Sequence, residues 1–245
     1  MFGKWYDATF IKIEKITELT WKFWVEIPAL ERVDFVGGQF MTFDLPIHEK
    51  RNRRWRSYSI ASSPSAKSNV LEFVIVKLKG GLGTTYLFDE VKVGTSLKLR
   101  GPLGKFVLPK TLDINTELCF VCTGTGIAPF RSMLLNIRDK GIKYPKMRLI
   151  FGTRYQEGIL YRKEMEKLTE ALNGFEYHIT LSRETAATWQ GHRGYVHRVY
   201  EELYPNKKDA IIFYLCGWDV MIEEARKRLE AMGYDRKQIR FESYG

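Results

Sequence analysis

Three short stretches hold residues whose types and spacing suit chemistry. In "RWRSYSIASSP", residues 54–64, two arginines, a tyrosine and four serines crowd where a strand is expected. A guanidinium fork fits phosphate oxygens and a phenol ring stacks on a flat heterocycle, so a ligand with both parts would explain the cluster. A polar edge strand facing water would explain it too. "CFVCTGTGIAPFRSML" places Thr123, Gly124 and Gly126 between an apolar strand and a helix beginning near Ala128-Pro129. Glycine permits a tight turn and close approach, and the helix start offers free N–H groups and a positive dipole end to a pyrophosphate. Pro129 stands where the third glycine of a full dinucleotide fingerprint would be, so a plain tight turn also satisfies the pattern. "KGGLGTTYLFDEV" repeats the arrangement: Gly80, Gly81 and Gly83 lead into a short helix with Thr84 and Thr85 at its start. That is a second anion cradle, or simply a capped helix.

The elements that must position these residues change period partway along the chain. "WYDATFIKIEKI", "TWKFWVEI", "QFMTFDL", "RSYSIAS", "VLEFVIVKL" and "SLKLRG" are short segments rich in aromatic and β-branched residues, spaced as in an antiparallel barrel. The helical "TYLFDEV" interrupts them. In "RSYSIAS" alternation puts Arg56, Tyr58 and Ile60 on one strand face and Ser57, Ser59 and Ala61 on the other. After about Pro109, the strands "ELCFVCTG", "MRLIFGTR", "FEYHITLS", "AIIFYLCG" and "IRFESY" alternate with helical stretches, which predicts a parallel sheet covered on both faces. The expected architecture is a six-stranded antiparallel β barrel over residues 1–110 and a doubly wound parallel-sheet α/β domain over 111–245.

Composition narrows the classes. Of 39 Lys/Arg and 29 Asp/Glu, residues 1–110 hold 18 and 11, so the net charge of +10 is mostly in the first part. Lys50–Arg56 alone carries five positive charges, a run that steers acidic partners or is a solvated basic loop. The longest apolar run, Ala210–Trp218, falls far short of the roughly 18 residues a membrane span needs. "MFGKWYDATF" lacks the apolar core of a signal peptide, and three cysteines form no disulfide framework, so a cytoplasmic location is expected. Cys119 and Cys122 have redox spacing, but in a strand they face opposite sides. The four histidines show no metal-ligand spacing, so no metal is expected.

Six stretches in order resemble the ferredoxin–NADP reductase family, which joins a flavin barrel to a nicotinamide-nucleotide module. "RSYS" resembles its Arg-x-Tyr-Ser flavin motif, "GGLGTTYL" its pyrophosphate turn, and "GPLGKFVL" the stretch that closes its barrel. "TGTGIAPFRS" resembles its nucleotide loop, "YLCG" its Cys-Gly and "FESYG" its terminal strand, to which this chain adds Gly245. The resemblance implies that Arg56 holds the flavin pyrophosphate with Gly81, Thr84 and Thr85. It implies that Tyr58 stacks on the isoalloxazine and that Ser59 bonds near its reactive nitrogen. It puts Tyr244 on the opposite flavin face, Glu242 beside it, and Cys216 with Gly217 near the nicotinamide. Ser182, Arg183, Arg193 and Tyr195 would grip a 2′-phosphate and adenine, favouring NADPH, although "WQGHRGYV" and Glu184 also suit NADH.

The expected protein is therefore a flavoenzyme that uses FAD, with Tyr86 one candidate to stack its adenine. It would pass hydride between NADPH and the flavin, and electrons to or from an acidic carrier such as ferredoxin or flavodoxin. A reductase of diffusible acceptors (free flavin, ferric chelates, quinones) and an NADH-dependent component of a multicomponent system are the alternatives. A non-catalytic module binding nucleic acid through its barrel would leave Tyr244 and the glycine loop without a role, so no nucleic-acid partner is expected. The oligomeric state stays open.

Overall fold

A computed structural model of the chain describes residues 4–111, 113, 115–144 and 146–244, so Gly245 lies outside the described residues. The chain divides into two compact units, residues 1–108 with 128–139 and residues 109–127 with 140–245.

The first unit holds β1 (Trp5–Lys15), β2 (Thr20–Glu26), β3 (Phe40–Asp44), β4 (Trp55–Ser59), β5 (Val70–Val76), α1 (Leu82–Asp89) and β6 (Ser96–Leu103). The six strands form one antiparallel sheet in the order β4-β3-β6-β1-β2-β5. Just past β4, the Ala61 N–H donates to the Glu72 carbonyl of β5 at 2.8 Å, so the two edge strands meet and the sheet rolls into a barrel. Alternate residues point inward: Ala8 and Phe10, Phe23 and Val25, Met41 and Phe43, Leu71 and Phe73 form one buried core. Their rings pack edge to face, as Phe43 and Phe73 do at 5.0 Å and 83°. Each fully buried side chain of this size contributes about 1.5–3 kcal/mol.

The second unit holds β7 (Glu117–Thr123), β8 (Met147–Thr153), α3 (Arg162–Ala171), β9 (Phe175–Leu181), β10 (His192–Arg193), α4 (Val196–Leu203), β11 (Ile211–Trp218), α5 (Asp219–Ala231) and β12 (Ile239–Tyr244). Between β7 and β8 runs α2 (Ile127–Lys140), whose residues 128–139 group with the first unit. There Arg131 Nη1 donates to the Ala61 carbonyl at 2.7 Å and to the Glu72 carboxylate at 2.9 Å, fastening the place where the barrel's edge strands meet. The second sheet is parallel throughout, ordered β10-β9-β8-β7-β11-β12. β7 and β8 are buried over their first six residues and, apart from Glu117 and Arg148, carry no charge there, as strands covered on both faces must be. α4 and α5 cover one face over Cys119, Val121, Phe213 and Leu215, while Tyr177 faces Arg162 and Glu166 of α3 on the other. The sixth strand, β10, pairs with β9 only at Thr180 and Leu181; two residues are too few to show a period in the sequence.

At the amino ends of these strands Arg148 (8% exposed) bonds to Glu117 at 3.1 Å, Glu176 at 2.7 Å and the Tyr204 hydroxyl at 2.7 Å. At the carboxyl ends the strand order reverses between β7 and β11, and this switch point is where ligands bind in open α/β sheets. Among the described residues no helix is long and apolar enough to cross a membrane, and no group of three or more side chains is placed to hold a metal ion.

Candidate functional site

In the first unit the antiparallel register sets Phe43 opposite Arg56 and Met41 opposite Tyr58, so Arg56 and Tyr58 share the face of those core residues. The Tyr58 ring meets Phe43 edge to face at 5.1 Å and 90°. Burial pushes its phenol pKa up, against the pull of the neighbouring Arg56 charge, so the ring stays neutral. Ser59 lies on the other face and is buried, as the alternation predicts.

Arg56 is positioned twice over. Its Nη1 donates to the carbonyls of Arg53 (3.1 Å) and Trp55 (2.8 Å), and its stem lies against the first turn of α1. A Cβ built on Gly83 would come within 2.8 Å of Arg56 Cγ, so only glycine admits this contact. The guanidinium therefore stands beside a helix start whose first N–H groups have no acceptor within the helix. That pairing of a cation with free amides is the donor set a pyrophosphate needs, and FAD fits it.

The threonines divide. The helix is capped by Gly81, not by a threonine, and Thr84 sits one turn in. Its hydroxyl accepts from the Leu78 N–H at 3.0 Å and donates to the Gly81 carbonyl at 3.1 Å, which holds the glycine turn shut. Thr85 is exposed on the same turn. Tyr86 is half-buried against the barrel core.

In the second unit parallel register assembles the other cradle. Cys216 lies opposite both Cys122 of β7 and Glu242 of β12, and Trp218 opposite Tyr244. Burial pushes the Cys216 thiol pKa up; a hydrogen bond with Tyr244 opposes this and Glu242 adds to it. All three cysteines are buried free thiols. Gly124 has a φ of +52°, and a Cβ there would meet nothing within 4 Å, so the turn faces open space. At Gly126 the reverse holds: a Cβ would lie 2.3 Å from the Cys216 carbonyl oxygen. The buried Thr123 hydroxyl beside Gly217 has no hydrogen-bond partner among the described residues. An orphaned hydroxyl, an open left-handed glycine and the single turn Gly124–Gly126, whose carbonyls take the first N–H of α2, converge, and a dinucleotide pyrophosphate fits them. Pro129 lies buried in the first turn of that helix.

At the carboxyl end of β9, the Ser182 N–H donates to the Thr153 carbonyl at 2.9 Å and the Arg183 N–H to the Arg154 carbonyl at 3.0 Å. This brings exposed Arg154 beside Arg183, a neighbour that the sequence reading missed. Its signal was present in "FGTR", a cation directly after a strand. Arg193 is engaged elsewhere: its guanidinium bonds to the carbonyls of Glu184, Ala186 (2.7 Å) and Trp189 (3.4 Å) and so ties down the 184–189 loop. The Glu184 carboxylate accepts from the Ala186 N–H at 2.9 Å and from Gln156 at 3.2 Å, bonds that lower its pKa. Tyr195 is 72% exposed at the start of α4.

A flavin-binding barrel and a nucleotide-binding α/β unit define a class, the pyridine-nucleotide-linked flavin oxidoreductases, and comparison with known proteins agrees. The model of the oxidoreductase FAD-binding domain matches residues 7–108, and that of the oxidoreductase NAD-binding domain residues 120–227. Ferredoxin–NADP reductase B of Sorangium cellulosum is 33% identical over 229 residues, covering 88% of this chain and 90% of the relative. The anthranilate 1,2-dioxygenase electron transfer component of Acinetobacter baylyi is 32% identical over 203 residues, 82% of this chain but only 55% of the relative's length. A ferredoxin NADP+ reductase from Neisseria gonorrhoeae, solved with FAD and NADP bound, superposes with a TM-score of 0.80 at 25% identity, covering 98% of both chains. The chain belongs to the ferredoxin–NADP reductase family.

Proposed function

We propose that this chain binds FAD and NADPH, passes hydride between them, and exchanges electrons with a separate acidic carrier such as ferredoxin or flavodoxin. The observation that carries this reading is the convergence of Thr123, Gly124, Gly126 and the Cys216–Gly217 backbone at the switch point of the second sheet. The bound flavin would supply the two-electron chemistry, accepting hydride and releasing electrons. The chain's own residues bind and orient. Arg56 and the first turn of α1 would neutralise the flavin pyrophosphate, Tyr58 and Ser59 would fix the ring, and Thr85 would add a hydroxyl. The backbone amides of the Gly124–Gly126 turn, which runs directly into α2, would hold the nucleotide pyrophosphate, and Cys216, Glu242 and Tyr244 would shape the nicotinamide end. Tyr244 hydrogen-bonds with Cys216 and would yield to nicotinamide, so that binding energy from the rest of NADPH would precede productive stacking.

For the 2′-phosphate the reading assigns Ser182, Arg183 and Arg154 as contacts, with Tyr195 for adenine and Arg193 as the loop's support. A second reading, an NADH-linked reductase of a multicomponent oxygenase, draws on one observation: Arg193 is already bonded to three carbonyls. The name of the Acinetobacter relative supports the same reading. Three free thiols suit a reducing compartment, and both readings place the protein in the cytoplasm. The test is anaerobic mixing of the flavin-loaded protein with NADPH or NADH while the oxidised-flavin absorbance is followed. Bleaching at far lower NADPH concentration supports the first reading. Bleaching at far lower NADH concentration supports the second, and none with either nucleotide defeats both.

A further inference from the structure

We infer that the outer face of the barrel carries a docking plate for an acidic redox protein, built on Trp5, Trp55 and Arg100; the nature of the partner rests on the proposed function. On β1 the core residues are Ala8 and Phe10, so Trp5 points outward; on β3 they are Met41 and Phe43, so Thr42 and Asp44 point outward. Register sets Trp5 and Thr42 each opposite Arg100, and Asp44 opposite Trp55. The two indoles stand 5.7 Å apart at 44°, and the Arg100 guanidinium faces both, 4.9 Å from the Trp5 ring centre and 4.7 Å from that of Trp55. Under this plate two outward polar residues, Thr42 (3% exposed) and Asp44 (6% exposed), are sealed from water, and Arg54 pairs with Asp44 at 2.8 Å. The plate is rigid because every component is held by a strand or a buried pair.

Its rim supplies the charge. Lys50, Arg51 and Arg53 are exposed, and among the described residues none has a carboxylate partner; Arg51 leans over Trp5 at 5.8 Å. Unneutralised cations around an aromatic centre match the anatomy of protein-binding hot spots, in which Trp and Arg dominate, and they steer an acidic partner. A single-stranded nucleic acid would need open ring faces for its bases, but the guanidinium of Arg100 already covers one face of each indole. An acidic protein surface fits the plate without displacing anything.

Calorimetric titration of the flavin-loaded protein with a plant-type [2Fe–2S] ferredoxin as the acidic probe, at low and high salt, tests this. The double variant K50E/R51E is expected to bind about tenfold more weakly at low salt and to lose most of the salt dependence. Trp5→Ala is expected to weaken binding by about tenfold at both salt levels. Both variants should be reduced by the nicotinamide nucleotide at the wild-type rate. Unchanged affinity in K50E/R51E, where the fold is not at risk, would overturn the inference. So would tighter binding of an oligo-dT strand or of phosphatidylserine vesicles with the same losses in the variants. If wild-type flavin is not reduced at all, the proposed function fails alone, because calorimetry reads docking without electron flow.

Discussion

Gly126 lies so close to Cys216 that a Cβ on the glycine would stand 2.3 Å from the cysteine's carbonyl oxygen. The obstacle is backbone on both sides, so no side chain can rotate away. Gly126→Ala should destabilise the second unit by about 1–3 kcal/mol, the usual range for overpacking a tight interior contact. It should also abolish binding of the nicotinamide nucleotide. Urea unfolding and nucleotide titration of the same preparation would check both.

Gly124 differs because its strain is local. A Cβ there meets open space, but the φ of +52° costs a non-glycine residue about 1–2 kcal/mol. Gly124→Ala should therefore remain folded yet bind the nucleotide much more weakly, since the methyl would project where the loop faces open space. Equal affinity in the variant would show that the loop does not approach the ligand.

Arg56 should be intolerant even of lysine. Lysine keeps the charge but loses the fork that bonds to two carbonyls while presenting further N–H groups. Loss of one charged hydrogen bond costs about 1.5–3 kcal/mol, so Arg56→Lys should hold FAD roughly 10–100-fold more weakly. Titration of apoprotein with FAD, followed by flavin fluorescence, measures this directly.

Arg183, Arg154 and Arg193 should separate by which kinetic ratio they move. Removing Arg183 or Arg154 should shrink the preference between NADPH and NADH about tenfold, as loss of about 1.4 kcal/mol of phosphate binding would. Arg193→Ala should instead loosen the 184–189 loop and raise KM for both nucleotides alike. A change of preference in Arg193→Ala would return it to the phosphate.

The Arg148 network should appear in acid unfolding. Burial raises the Glu176 pKa, but hydrogen bonds from Lys146, Arg148 and His178 outweigh it and hold the carboxyl at about 2. A carboxyl whose pKa is lower folded than unfolded stabilises the fold above the unfolded value of about 4.3 and loses that contribution as pH falls toward 2. Arg148→Met should flatten this acid-sensitive window. Because it also leaves Glu117 buried with one partner fewer, it should cost about 3–5 kcal/mol at neutral pH. Denaturation midpoints measured from neutral pH down to acid would show both effects.

Both architectures were legible in the sequence because each is written locally. A period of two carries the barrel, and apolar strands alternating with amphipathic helices carry the parallel sheet. The motif residues were legible for a related reason: the glycine loop, Arg-x-Tyr-Ser and Cys-Gly each lie within one turn or strand end. Arg56 on the same strand face as Tyr58 and Gly124 in an open turn follow from such short stretches.

Relations between distant segments were not legible. Gly126 meets Cys216, and Trp5 meets Arg100 and Trp55, only because strand register sets residues side by side that are 50 to 95 positions apart in sequence. Register is fixed by the packing of whole faces, not by the paired residues. Hydrogen-bond competition was hidden for the same reason. A sequence names Arg193 and Thr84 as donors for a phosphate, but the folded chain offers them nearer acceptors first: three loop carbonyls for the arginine and the Gly81 carbonyl for the threonine. Residue type sets what a side chain is able to bind, and the tertiary structure decides which partner stands within reach.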